Sequence, residues 1–169
     1  MSIIVEDGTG LMDANSYVSV EYADDYFAMR GNPTWNALSE ADKEFALVNA
    51  TDYIDQRWSC FKGELLNPYQ ALMFPRTLWE GIPANLKRAC CEYAVIATER
   101  PLWFIPEVDE SGFAVQERKE KVGPIEESVK YAVGEYSGSA ARTTFLSFPK
   151  ADQLMSGYIC NTQGRVIRA

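Results

Sequence analysis

The sequence predicts a mainly α-helical protein: a bundle of three long helices plus a short C-terminal helix, with a small β-hairpin or extended arm and extended termini. Apolar side chains recur at three- and four-residue spacing over about 20–30, 39–58 and 83–100. Helix start and stop residues bracket each of these stretches. Alternating apolar positions, the strand period, are concentrated at 113–133.

In chain order, residues 1–18 read as an extended lead-in. Ile3 and Val5 alternate with polar neighbours, and Asp7-Gly8-Thr9-Gly10 is a turn. This lead-in either lies on its own domain or reaches a neighbouring subunit. The first helix runs from about Val20 to Arg30, with Ser19 as N-cap and Gly31-Asn32-Pro33 as its stop. Tyr22, Ala23, Tyr26, Phe27 and Arg30 share its spacing, which fits a core face better than a ligand platform. Ser39-Glu40-Ala41-Asp42 starts a second helix that continues to about Trp58.

Residues 59–81 form a long apolar loop that must fold back over the helices. Within it, Phe74, Pro75 and Arg76 are its structural anchors: a buried ring, a fixed backbone and a strong donor for carbonyls or an acidic partner. The third helix lies between Pro83 and Pro101, with Leu86, Ala89, Cys90, Tyr93, Ala94 and Ala97 facing inward. Leu102-Trp103-Phe104-Ile105 then either closes the core or marks an interface.

Over 113–133, Phe113 and Val115, then Val129, Tyr131 and Val133, give two strand-like stretches around the charged run Glu117-Arg118-Lys119-Glu120-Lys121. A lone hairpin is marginal in water, so this excursion is expected to pack on something else. Residues 134–144 read as a linker, and Pro149 starts a last helix ending near Gly157. The expected organisation is therefore a helical domain over 1–156 and a tail over 157–169, either frayed or docked on a partner.

The composition limits function. There are 24 acidic and 16 basic residues, a net charge of −8, and no histidine. The overall field opposes a nucleic-acid backbone, although a local basic patch can still exist. Without histidine the commonest general base and metal ligand are both missing. The four cysteines, Cys60, Cys90, Cys91 and Cys160, form no C-x-x-C pair and are expected as reduced, buried thiols. No Walker or dinucleotide loop occurs. Asp24-Asp25 and Glu126-Glu127 are neighbours whose side chains diverge, so neither is an acid–base couple. The expectation is a binding protein: no enzyme, no cofactor and no metal. No apolar run approaches the roughly 20 residues of a bilayer span, and the N-terminus lacks a signal-peptide pattern, so the cytosol is the expected compartment.

Several motifs, in order along nearly the whole chain, resemble a family of tailed-phage structural proteins. Ile4-Val5-Glu6-Asp7-Gly8-Thr9-Gly10, followed by Ala14-Asn15-Ser16-Tyr17-Val18-Ser19, is similar to its opening signature. Ala50-Thr51-Asp52-Tyr53-Ile54-Asp55, Gln70-Ala71-Leu72-Met73-Phe74-Pro75-Arg76, Ile82-Pro83, Glu120-Lys121-Val122-Gly123-Pro124-Ile125 and Phe148-Pro149 also resemble it. Residues 135–148 and 157–169 depart from the pattern. The family carries a DnaT-like single-stranded-DNA-binding label, and the chain is similar to its head–tail connector, or adaptor, group.

That resemblance implies a ring, typically of twelve subunits, docked beneath the portal, passing genomic double-stranded DNA and offering a platform to neck, stopper or tail proteins. It implies location in the virion at the head–tail junction, and in the host cytoplasm during assembly, with no membrane partner. The candidate portal-binding residues are Tyr158, Ile159, Arg165, Val166, Ile167 and Arg168. The candidate subunit or tail interface is Trp103, Phe104, Lys121, Val122, Ile125 and Tyr131. The alternative reading is a replication accessory protein that binds single-stranded DNA, motivated by the family label and 21 aromatic residues. The net charge, and aromatics placed mainly on apolar helix faces, favour the adaptor over this alternative.

Overall fold

The computed structural model describes residues 3–104, 117–122, 125–130 and 144–160. It is mainly helical, with five helices among the described residues: α1 (Val20–Ala28), α2 (Pro33–Asn36), α3 (Glu40–Arg57), α4 (Ala84–Glu99) and α5 (Pro149–Met155). The chain divides into two units, residues 1–102 with 147–169, and residues 103–146. All five helices belong to the first.

Only two of the three expected long helices are long. Helix α1 stops after nine residues, and a four-residue helix follows where the sequence suggested only a stop. The cause is local. Asn32 accepts the Trp35 backbone N–H, and Pro33 suits the first helical position, so the Asn-Pro pair that ends one helix caps the next. This turn buries Trp35 completely against Phe27, at 4.9 Å between ring centroids. Its indole N–H donates to Asp24 at 2.6 Å, and Lys43 pairs with the same carboxylate at 2.8 Å. Burial pushes the Asp24 carboxyl up, but these two hydrogen bonds win and hold it below its usual range.

The core lies between α3 and α4, with α5 across α4. Ser39 caps α3 by accepting the Asp42 N–H. Leu47, Ala50, Tyr53 and Ile54 of α3 meet Leu86, Ala89, Cys90, Tyr93 and Ala94 of α4, all fully buried. Alanine and cysteine at these positions let the two helices approach closely. Tyr53, Tyr93 and Phe148 form a ring cluster with centroids 5.0–6.0 Å apart. Asp152 fastens α5 to it, accepting from Tyr93 Oη at 2.5 Å, Arg57 at 2.8 Å and the Phe148 N–H at 3.0 Å.

The 59–81 loop folds around Phe74, which is fully buried between the rings of Phe61, Trp79, Tyr158 and Tyr17. The Phe74–Pro75 peptide is cis. Arg76 donates to the carbonyls of Lys62, Gly63 and Met73. The expectation of four reduced thiols is corrected here. Cys90 and Cys91 are free and buried, whereas Cys60 and Cys160 form a disulfide across 100 residues of sequence. Connectivity of this kind is invisible to spacing, because the two partners are 100 residues apart. In the chain-entropy picture a loop this long restricts the unfolded state by roughly 4.7 kcal/mol.

In the second unit, β1 (Trp103–Phe104) pairs antiparallel with β4 (Thr144–Phe145), and β2 (Glu117–Val122) pairs antiparallel with β3 (Ile125–Lys130). The register sets Val122 opposite Ile125 and Glu117 opposite Lys130. The charged run read as a connection between strands is therefore itself strand β2. The apolar alternation at 113–115 and 131–133 lies outside the described residues.

Candidate nucleic-acid interface

The buried chemical groups of the first unit are committed to holding the fold. Glu6 is 2% exposed, and its carboxylate accepts the backbone N–H groups of Gly8, Gly10 and Leu11, each at 2.9 Å. Successive N–H groups of this kind make an anion-binding nest. The turn can wrap so tightly because Gly8 and Gly10 take positive φ, and a Cβ on Gly8 would sit 2.8 Å from Gly81 Cα. The nest is filled by the chain's own side chain, so this glycine turn does not offer itself to phosphate.

Asp55 accepts the Tyr17 hydroxyl and the Met73 N–H, tying the lead-in and the loop to α3. Burial pushes its carboxyl up to about 6. Glu92, 5% exposed, accepts Tyr26 Oη at 2.6 Å and pairs with Lys150 at 2.7 Å. Burial raises both free thiols, Cys90 to about 12, which makes them poor nucleophiles. Among the described residues no group of Cys, Asp or Glu side chains is placed to hold a metal ion. A cavity of about 160 Å³ lies beside the disulfide, lined by Arg57, Trp58 and Ile159 among others. It is smaller than the roughly 300–1,000 Å³ of a small-molecule site.

A different arrangement occupies the surface where α1, the start of α4 and the turn after α5 meet. Tyr22 and Tyr26, one helical turn apart on α1, each carry a cation. Lys87 Nζ lies 5.7 Å from the Tyr22 ring centroid, and the Arg30 guanidinium lies 3.5 Å from that of Tyr26. Arg88 follows Lys87 on α4 and is exposed. Burial pushes the phenols of both Tyr22 and Tyr158 up, and the positive charge of Arg88 pulls both down. Tyr158 in turn meets the edge of Trp79, with centroids 5.1 Å apart. Lys62 borders this pair, its ammonium 2.9 Å from the Gly157 carbonyl.

Arg30, Lys62 and Arg88 are exposed, whereas Tyr22, Lys87, Trp79 and Tyr158 are half-buried. The Tyr22, Trp79 and Tyr158 rings are therefore held by packing while part of each residue stays wet, whereas Tyr26 is buried. Cations interleaved with aromatic faces suit a flexible anionic polymer with stacking groups. Glu21 and Asp25, exposed on the same helix, border the surface and limit its width.

Of the candidate portal-binding residues, Tyr158 is part of this surface and Ile159 forms a β-bridge with Phe61. Residues 158–160 are thus fastened to 60–62 rather than starting a free tail. Arg165, Val166, Ile167 and Arg168 lie outside the described residues, as does Tyr131. Trp103 and Phe104 form β1, Lys121 and Val122 end β2, and Ile125 begins β3. Sequence reasoning missed Tyr22, Arg30, Lys62, Lys87 and Arg88 as a set. The available signal was Tyr22 and Arg30 on one helical face and the adjacent Lys87-Arg88 pair at the start of a helix.

No curated protein and no solved structure matches the chain. A family model described as "Putative DnaT-like ssDNA binding protein" matches residues 1–169. That match overturns the assignment to the phage head–tail adaptors, and with it the twelve-subunit ring, the portal, neck and tail partners, and the passage of double-stranded DNA. The physical premise that misled was net charge, which averages over the surface and carries no positions. Matched from its first residue to its last, the chain belongs to the DnaT-like ssDNA binding protein family.

Proposed function

We propose that this protein binds single-stranded DNA along the surface formed by α1, the start of α4 and the Tyr158 turn, and acts by binding without covalent chemistry. The observation that carries the reading is a set of cations beside aromatic residues, Lys87 over Tyr22, Arg30 over Tyr26 and Lys62 at the Gly157 carbonyl next to Tyr158, with Arg88 exposed beside Lys87, in a chain of net charge −8. The cations neutralise phosphates, and the half-exposed rings accept unpaired bases. A duplex keeps its bases stacked inside, so the rings favour the single strand. Acidic groups elsewhere on the chain repel DNA from other faces and confine it to this one.

Fluorescence anisotropy with a labelled oligothymidylate across a salt series tests the proposal. Four phosphate-neutralising cations give a slope of log K against log salt of roughly −3 for a single strand. Binding at low salt with that slope, weaker for a duplex of the same length, is the expected result. No binding at low salt rejects the function.

A further inference from the structure

We infer that DNA binding by this surface is under redox control through the Cys60–Cys160 pair, an inference that rests on the functional reading above. The two cysteines differ from the other two in access. Cys60 is exposed and Cys160 half-buried, whereas Cys90 and Cys91 are sealed in the core. A thiol reagent in solution therefore meets this pair first.

The bond also sits where it can act. Cys160 is two residues from Tyr158, and Cys60 is two residues from Lys62. Between them, the Cys160 N–H donates to the Cys60 carbonyl at 3.1 Å, Phe61 bridges Ile159, and the Lys62 N–H donates to the Tyr158 carbonyl at 2.8 Å. So short a two-stranded pairing is marginal by itself in water. The disulfide closes it and holds the Tyr158 ring between Trp79 and Phe74, where a base would meet it. With the bond open, that segment is free to leave and takes a stacking ring with it.

The exchange is chemically complete with a thiol reductant. One reductant thiolate attacks a sulfur of the pair and expels the other cysteine as thiolate, which takes up a proton. A second reductant thiolate then attacks the mixed disulfide and releases the first cysteine. Two cysteine thiols and one reductant disulfide result, with two electrons transferred. A low-molecular-weight disulfide drives the reverse reaction.

The test compares oligothymidylate affinity of oxidised protein, dithiothreitol-reduced protein and a Cys60→Ser/Cys160→Ser variant, with alkylation and intact mass reporting the thiol state and circular dichroism the fold. Reduction should weaken binding roughly tenfold, the scale of one lost stacking ring, while leaving the helical signal intact. The variant should bind like the reduced protein and ignore the reductant. Equal affinity before and after a reduction confirmed by mass overturns the redox inference but leaves the binding function standing. So does failure of the pair to form under a disulfide oxidant. Absence of binding in both states overturns the function itself, and the redox inference with it.

Discussion

At the scale of single residues, Arg88 has the most to do. Its charge reaches both Tyr22 and Tyr158, and its contact within α4 is Asn85 Oδ1 at 3.2 Å, a surface interaction with little bearing on stability. Arg88→Ala should therefore weaken oligothymidylate binding and flatten the salt slope by about 0.7, with the melting temperature nearly unchanged. An unchanged slope would remove Arg88 from the interface. Asp55 tests a different part of the account. Burial raises its carboxyl to about 6 from an ordinary 3.8, so the folded state holds this proton more tightly than the unfolded chain does. Its stabilising contribution is complete below the unfolded value and is lost as pH rises through about 6. For a shift of this size the loss is about 3 kcal/mol. Asp55→Asn should remove that slope; denaturant melts of both proteins between pH 4 and 7 that stay parallel would show that the buried carboxyl is not its source. Neither role was legible in sequence. Only tertiary packing brings Tyr17 and Met73 onto Asp55.

At the scale of elements, local rules carried far. Ser19 and Ser39 cap α1 and α3, and the α4 stripe from Leu86 to Ala94 is buried. Caps and periodicity act over one or two turns, so the sequence displays them. The short helix α2 escaped because one Asn-Pro pair serves as stop and start together. Helix α5 illustrates what only packing provides: seven residues cannot sustain a helix alone, and Asp152 holds it to Tyr93, Arg57 and Phe148. Asp152→Ala should cost about 3–5 kcal/mol by leaving the Arg57 guanidinium half-buried without its carboxylate, read as a lower urea midpoint. Because α5 leads directly into the Tyr158 turn, the same variant should also weaken DNA binding. Near-wild-type stability would mean that α5 is held by its apolar face alone. Glu6→Ala should empty the nest at Gly8, Gly10 and Leu11 and cost about 1–3 kcal/mol, with faster hydrogen exchange at those three amides. Their unchanged protection would contradict the carboxylate's role.

At the scale of the whole molecule, the informative contrast is between net and local charge. The formal charge of −8 led sequence reasoning to favour the adaptor over a single-stranded-DNA binder, because composition carries no positions. Folding gathers Arg30, Lys62, Lys87 and Arg88 from three separate segments and places rings between them. It also commits Lys43, Arg57 and Lys150 to carboxylates elsewhere. A basic surface assembled from distant segments has no sequence motif, just as the Cys60–Cys160 pair has none. A second exposed apolar region, with Leu66 at 50%, Tyr69 at 76% and Leu78 at 61% exposure, belongs to the 59–81 loop and supplies the rival location for a bound strand. Ultraviolet cross-linking of oligothymidylate to the intact protein, followed by peptide mass mapping, separates the two. Cross-links at Tyr22, Trp79 and Tyr158 are expected; cross-links confined to Tyr69, or none at all under low salt, would contradict binding at this surface.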